Sequence, residues 1–140
     1  MTLFCVDTSA WHHSTDPRVA SAWRRHLDAD ELGLCDQVRL EILYSAKSAK
    51  DYDALAQELS GLLSIPTGAS TFERALEVQQ RLARVGGLHH RSVKIADLII
   101  AAAAEAAEAT VLHYDSDFER IAAVTAQPIA WIVPPGALIG

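Results

Sequence analysis

The chain has 140 residues, of which 50% are hydrophobic and 21% charged, and its net charge is −6 at pH 7. This length suits one domain with a core that folds without disulfides, so we expect a single domain over residues 1–140. The acidic balance argues against a protein that coats nucleic acid through overall charge. The longest apolar stretch, residues 98–109, contains Glu105 and Glu108, which excludes a membrane span. Because the N-terminus lacks the basic segment of a signal peptide, we expect a cytoplasmic protein.

Five short apolar segments predict the strands of a sheet, because they are too short for buried helices and end at polar or turn-forming residues. They lie at residues 2–6, 32–35, 62–65, 110–114 and 130–133. Helical periodicity fills the intervals between them, most clearly over residues 70–85 and 92–109. Strands that alternate with helices in this way predict an α/β fold with a parallel sheet.

Local signals predict the boundaries and faces of several helices. Asp36 is expected to cap the helix after the second strand. Ser116 and Glu119 fit a capping box, so another helix is expected to begin there. The helix over residues 70–85 has three large apolar side chains at spacings that predict an inward face: Phe72, Leu76 and Leu82.

Five carboxylates lie where a folded chain would otherwise place apolar side chains. Asp7 and Asp115 directly follow predicted strands, Glu41 and Asp97 interrupt the apolar faces of predicted helices, and Asp117 follows Asp115 closely. A buried carboxylate costs several kcal/mol unless it is paired or coordinates a metal. The sequence places no matching set of lysines and arginines beside these acids. We therefore expect them to form a divalent-cation site.

The placement of these acids indicates a specific chemistry. Ligands of open parallel sheets bind at the carboxyl ends of the strands, where the strand order reverses, and Asp7 and Asp115 would meet there. All-oxygen ligation favours Mg²⁺, with Mn²⁺ as a substitute, over zinc. Such ions can activate a water and stabilise the leaving oxygen of a phosphodiester, so the pattern predicts phosphodiester hydrolysis. Thr8 or Ser9 could orient a ligand carboxylate through a hydrogen bond.

The last two acids allow two interpretations. Asp115 and Asp117 could serve only to cap a helix, because they flank the start of one. We favour Asp115 as the acid nearer the metal, since it directly follows the strand. Basic side chains precede Asp97 and are either a solvated helix face or a surface that holds the phosphates of a nucleic acid: Arg81, Arg84, Arg91 and Lys94.

Signals of other enzyme classes do not occur in this sequence. It contains no G-x-x-x-x-G-K-[ST] or G-x-G-x-x-G phosphate loop and no G-x-S-x-G nucleophile elbow. Cys5 and Cys35 lie in predicted strands without metal-ligand spacing, so we expect buried free thiols. The histidines also lack ligand spacing and are expected to be exposed, and only His113 is set apart, by its position beside Asp115.

Four blocks of sequence carry the acids in a fixed order along nearly the whole chain. They are residues 6–11, 40–42, 95–102 and 111–118. With these blocks the chain resembles the PIN-domain ribonucleases, and most closely the VapC toxins of VapB–VapC type II toxin–antitoxin pairs. In that family, acids at these places bind Mg²⁺ or Mn²⁺. Here they are Asp7, Glu41, Asp97, and Asp115 or Asp117.

The resemblance implies both an architecture and an activity. The expected fold is a five-stranded parallel sheet in the order 3-2-1-4-5, with helices on both faces. The expected activity is metal-dependent endoribonuclease cleavage of structured RNA. Independently of the resemblance, the basic residues before Asp97 could hold the phosphates of that RNA. The resemblance also implies a homodimer and a VapB-like antitoxin that covers the active site.

Two other functions fit part of the pattern. A signalling receiver domain also gathers acids around Mg²⁺ at the ends of parallel strands. It requires an aspartate after the third strand, where this chain has Pro66, Thr67 and Gly68. A PIN-type module that binds without turnover would share the fold and the acids, and only an assay of RNA cleavage separates it from the enzyme.

Overall fold

The computed structural model describes residues 2–138, and a five-stranded sheet runs through them. The ends of the predicted domain, Met1 and residues 139–140, lie outside the described residues. The strands are β1 (Phe4–Val6), β2 (Leu32–Cys35), β3 (Leu63–Ile65), β4 (Thr110–His113) and β5 (Ile129–Trp131). Their order is β3-β2-β1-β4-β5, and every pairing is parallel. The predicted α/β fold and strand order are confirmed.

Helices connect the strands and flank the sheet. They are α1 (Thr8–His13), α2 (Pro17–Asp28), α3 (Asp36–Tyr44), α4 (Ala49–Leu59), α5 (Ala69–Val85), α6 (Ile95–Ala106), α7 (Asp117–Thr125) and a 3₁₀ helix (His89–Arg91). None of the helices within residues 2–138 is long and apolar enough to cross a membrane.

The centre of the sheet is the pair β1–β4, and its register positions the ends of both strands. Val6 lies opposite Leu112, and the Asp7 N–H donates to the Leu112 carbonyl at 2.9 Å. Because β1 lies between β2 and β4, the order of strands reverses at this point. The carboxyl ends of β1 and β4 therefore open onto one crevice, as expected for a ligand site in an open parallel sheet.

Helix α6 is the apolar helix of the core. It packs against α5 and against strands β1, β2 and β4. Its buried apolar side chains are Leu98, Ile100 and four consecutive alanines, residues 101–104, and these short alanine side chains let the helix lie close to the sheet. Cys5 and Cys35 are also buried and carry free thiols, as predicted.

The predicted helix caps are wrong in detail. Cys35, not Asp36, is the N-cap of α3, and Asp36 is the first helical residue. Ser116 is the N-cap of α7, but its side chain makes no capping hydrogen bond. Instead the Asp117 N–H donates to Asp115 Oδ1 at 2.9 Å, so an aspartate performs the capping that the sequence suggested for serine.

The inward face of α5 is also displaced from the prediction. Leu82 is buried, but Phe72 is 53% exposed and Leu76 is 66% exposed. The buried stripe consists of smaller side chains at the same helical spacing: Thr71, Ala75, Val78 and Leu82. Phe72 and Leu76 are each one residue, about 100° of helical rotation, away from this stripe. They line a shallow apolar groove together with Ile95 of α6, which is 70% exposed.

Candidate active site

Three aspartates from distant parts of the chain meet at the crevice between β1 and β4. Asp7, Asp97 and Asp115 each offer a carboxylate oxygen, and these oxygens lie within 4.8 Å of one another. Asp7 follows β1, Asp115 follows β4, and Asp97 lies in the first turn of α6. The sequence placed all three at one site, and the structure brings them together.

Asp7 is fixed by its neighbour Ser9. Asp7 is the N-cap of α1, and its Oδ2 accepts hydrogen bonds from the Ser9 N–H at 3.1 Å and from the Ser9 hydroxyl. The Ser9 hydroxyl oxygen in turn accepts from the Tyr114 N–H at 2.9 Å. Burial raises the pKa of Asp7, and the hydrogen bonds from Ser9 partly offset the rise. Ser9 therefore joins the ends of β1 and β4 and orients the carboxylate, the role that the sequence suggested.

Among the acids, Asp97 has the environment that most disfavours its ionised form. It is 4% exposed, and its Oδ2 has no hydrogen-bond partner among residues 2–138. Burial, together with the negative charges of Asp7 and Asp115, raises the pKa of Asp97 to about 9. In the metal-free protein this carboxyl therefore holds a proton at neutral pH. A bare buried oxygen beside two other carboxylates fits a hard divalent cation well.

The sequence predicted no matching set of basic side chains for the acids, and the structure places a single lysine among them. Lys94, which immediately precedes α6, places its Nζ 2.7 Å from Asp115 Oδ2 and 3.2 Å from Asp117 Oδ2. The same Nζ lies 3.7 Å from Asp97 Oδ2. The hydrogen bond to Asp115 and the surrounding negative charges raise the pKa of Lys94. The structure thus places one fully charged ammonium at the edge of the cluster.

Asp115 and Asp117 occupy different environments. Burial would raise the pKa of Asp115, but the hydrogen bonds from Lys94 Nζ and the Asp117 N–H outweigh it and lower that pKa. Asp117 Oδ2 accepts from the Lys94 N–H at 3.1 Å, and Asp117 Oδ1 pairs with Arg120 at 3.2 Å. Asp117 therefore ties the start of α6 to the start of α7, whereas Asp115 belongs to the three-acid cluster.

Glu41 flanks the cluster without joining it. It is half-buried on α3, and its Oε1 accepts from the Thr8 hydroxyl at 2.9 Å. Burial and the nearby charge of Asp7 raise the pKa of Glu41, against the Thr8 hydrogen bond. Glu41 lines a shallow depression of about 440 Å³ beside His12 and the exposed ring of Tyr44. Thr8 thus orients Glu41 as Ser9 orients Asp7.

His113 and Arg120 also belong to this region. The sequence interpretation had set His113 apart because it lies beside Asp115, but it missed Arg120. His113 is fully buried, contrary to the general expectation for the histidines, and its Nδ1 accepts the Asp115 N–H at 3.1 Å. Burial lowers the pKa of His113 to about 4, so the ring is neutral and helps to hold Asp115 in place. Arg120 pairs with Asp117 from one turn along α7, a spacing of three residues that was visible in the sequence.

The four basic residues predicted to hold RNA do not form one patch around the acids. Arg81 donates to the Val124 carbonyl at 3.3 Å and pairs with Glu77. Arg84 and Arg91 are exposed. Among these four, as far as residues 2–138 show, only Lys94 contacts the carboxylates.

Known proteins share both the sequence and the architecture. The family model of the PIN domain matches residues 4–124. Ribonuclease VapC18 of Mycobacterium tuberculosis is 65% identical over 136 residues, which cover 97% of this chain and 99% of that protein. Ribonuclease VapC21 of the same species is 40% identical over 136 residues, covering 96% of this chain and 97% of that protein.

Solved structures agree in fold at lower identity. The DNA-bound VapBC structure from Salmonella typhimurium matches with a TM-score of 0.76 and 21% identity, covering 95% of this chain and 100% of that chain. VapBC-5 from Mycobacterium tuberculosis matches with a TM-score of 0.63 and 20% identity, covering 96% of this chain and 100% of that chain. By its sequence relatives and its matched domain, this chain belongs to the PIN-domain family and, within that family, to the VapC ribonucleases.

Proposed function

We propose that the chain is the toxin of a VapB–VapC pair, a metal-dependent endoribonuclease that hydrolyses phosphodiester bonds in structured RNA. The observation that carries this proposal is the cluster of Asp7, Asp97 and Asp115 at the point where the strand order reverses. Membership in the VapC ribonucleases supports RNA as the substrate. The five-stranded sheet extends beyond the matched range to β5, so we take residues 1–140 as one PIN domain.

The residues present fit Mg²⁺, or Mn²⁺ in its place. The donors are carboxylate oxygens, one of them buried without a hydrogen bond, and such oxygens suit hard cations. We assign Asp7, Asp97 and Asp115 as ligands. A bound cation would supply the Lewis acid that polarises the scissile phosphate and lowers the pKa of an attacking water.

The protein side chains have separate tasks in this scheme. Asp97 would hold the cation as an ionised carboxylate and would give up its proton on binding, because a nearby positive charge would offset the burial and the neighbouring carboxylates that raise its pKa. Ser9 and Thr8 hold Asp7 and Glu41 in fixed rotamers through their hydroxyl donors. Glu41, which flanks the cluster from α3 and is oriented by Thr8, would complete the set of acids that act on the phosphodiester.

Partners follow from the family and from the surface. We propose a VapB-like antitoxin that covers the active site, a proposal supported by the VapBC complexes that share this fold.

We also propose a homodimer, because Phe72, Leu76 and Ile95 form an exposed apolar groove of a kind that marks protein interfaces. The basic side chains Arg81, Arg84, Arg91 and Lys94 are proposed to contact RNA phosphates. We propose that the protein acts in the cytoplasm, where an RNA substrate and a VapB-like antitoxin would both be found.

The deciding experiment measures RNA cleavage by purified protein. We expect cleavage of total cellular RNA that stops with EDTA and returns with added Mn²⁺. The Asp7→Asn and Asp97→Asn proteins, purified in parallel, control for contaminating nucleases and are expected to be inactive. Cleavage that persists in EDTA, or an Asp7→Asn protein with wild-type rate, would contradict the proposal. A purified wild-type protein that cleaves no RNA with Mg²⁺ or Mn²⁺ would favour a binding module. Mapping of 5′ ends after brief expression then identifies the RNA.

A further inference from the structure

Lys94 is held beside the acids by its backbone as well as its side chain. Its N–H donates to Asp117 Oδ2 at 3.1 Å, and this bond fixes the residue at the start of α6. Its Nζ then reaches three carboxylates from different segments of the chain, at 2.7 Å from Asp115, 3.2 Å from Asp117 and 3.7 Å from Asp97. One ammonium group therefore lies within 4 Å of three carboxylates.

The two oxygens of Asp115 are both engaged in this arrangement. Oδ1 accepts the Asp117 N–H, a bond that caps α7 and fixes the loop. Oδ2 accepts from Lys94 Nζ. Each carboxylate oxygen can accept a second partner, so a divalent cation that binds Asp115 Oδ2 either shares that oxygen with the Lys94 ammonium or displaces it, and the two positive charges repel one another.

The Lys94 side chain can give up this contact easily. Its side chain is 64% exposed, while that of Asp97 is 6% exposed and that of Asp117 10% exposed. An ammonium on a flexible four-carbon stem can move into solvent without disturbing packed residues. Asp7, Asp115 and Asp117 cannot move in the same way, because backbone and hydroxyl donors hold them. Asp97 is held by its burial on α6.

We propose that Lys94 is an exchangeable counter-cation of the active site, which stabilises the metal-free carboxylates and competes with the divalent cation for Asp115. The inference rests on the proposed metal dependence and adds a residue that sets the affinity for the ion. Lys94 keeps the metal-free toxin folded with its acids assembled, and it lowers the affinity of the site for Mg²⁺ or Mn²⁺.

Removal of Lys94 should therefore lower the stability of the metal-free protein and raise its affinity for a divalent cation. Without Lys94, the negative charges of Asp115 and Asp117 repel one another with less compensation, so the metal-free protein becomes less stable. A divalent cation meets one positive charge fewer, so it binds more tightly. Unit charges a few ångströms apart at the protein surface interact strongly enough to change the dissociation constant for Mn²⁺ by about tenfold.

The test compares Lys94→Met with Lys50→Met, which removes the same charge from an exposed position on α4. We expect Lys94→Met to bind Mn²⁺ about tenfold more tightly in calorimetry at fixed pH and ionic strength. We also expect its melting temperature in EDTA to fall by roughly 3–6 °C, with recovery in excess Mn²⁺. The dissociation constant of Lys50→Met for Mn²⁺ should stay within twofold of the wild-type value. The same is expected of Lys94→Arg, which keeps the positive charge. If Lys94→Met does not fold, Lys94→Gln serves the same comparison.

The outcomes separate this inference from the proposed function. Equal or weaker Mn²⁺ binding by Lys94→Met, or an unchanged melting temperature in EDTA, would overturn the counter-cation role even if the wild type cleaves RNA. Tighter Mn²⁺ binding and a lower melting temperature in a protein that cleaves no RNA would leave the role intact and reject the nuclease. A wild type that binds no Mn²⁺ would overturn both.

Discussion

Replacement of Asp97 by asparagine is expected to stabilise the metal-free protein, although the residue is buried and belongs to the proposed site. The pKa of Asp97 is about 9 in the folded protein, because of burial and of the charges of Asp7 and Asp115, against an ordinary value of 3.8. The folded state therefore keeps the proton at pH 7, whereas the unfolded chain releases it. Stability that is present below about pH 4 is thus lost as the pH rises toward 9. Asparagine resembles the protonated acid and does not titrate.

The size of the effect follows from the same difference in pKa. Each pKa unit corresponds to about 1.4 kcal/mol, and about three units separate the ordinary value from pH 7. The upper limit is therefore about 4 kcal/mol. The charge of Lys94 already contributes to this pKa, and screening by solvent at the open crevice reduces the effect further, so we expect roughly 2 kcal/mol in the free energy of unfolding. For a domain of this size the melting temperature should rise by roughly 5–10 °C.

Urea unfolding in EDTA measures this difference directly. The Asp97→Asn protein is compared with wild type and with Asp53→Asn, a control at an exposed position on α4. We expect a gain at pH 7 for Asp97→Asn alone, and a much smaller gain at pH 4, which is close to the ordinary pKa of 3.8, so that the unfolded wild type also holds part of its proton. Excess Mn²⁺ should reduce or reverse the gain, because only the wild type has the full set of ligands.

Two results would contradict this reasoning. If Asp97→Asn is no more stable than wild type at pH 7 in EDTA, the carboxylates are either separated or already neutralised in the free protein. If the gain is as large at pH 4 as at pH 7, it comes from packing or hydrogen bonding and not from ionisation of Asp97.

Three further predictions concern activity and pH. Asp7→Asn should lower kcat for RNA cleavage at least a hundredfold with an unchanged circular dichroism spectrum, and activity near wild type would contradict the ligand assignment. Ser9→Ala should lower kcat/KM roughly tenfold, because Asp7 loses an orienting hydroxyl; no change would show that the Ser9 N–H suffices. In an Asp97→Asn background, the unfolding free energy should fall by up to about 3 kcal/mol between pH 6.5 and pH 4, because buried His113 stays neutral while the unfolded chain gains a proton. His113→Gln should flatten that slope, and a slope that persists would assign it to other groups.

Much of the fold and of the candidate site was accessible from the sequence. Apolar segments between helical intervals predicted the parallel α/β sheet, and the four-block resemblance supplied its strand order. The acids were conspicuous because a carboxylate on an apolar stripe or at a strand end is energetically unfavourable without a partner. Local pattern therefore predicted Asp7, Asp97 and Asp115 as members of one site, and the structure brings them within 4.8 Å.

Only the tertiary structure decided which groups compensate those acids. Lys94 contacts Asp115 and Asp117 across 21 and 23 residues of sequence, a pairing that exists only because the start of α6 lies against the loop after β4. His113 is buried for the same reason, since the rings of Phe118 and Trp131 pack against it. Periodicity reports which side chains share a face, but not which face is covered, and so Phe72 on α5 is exposed. The sequence by itself determined the acids and the sheet; long-range packing decided their counter-charge, their hydrogen bonds and the face of α5 that remains open.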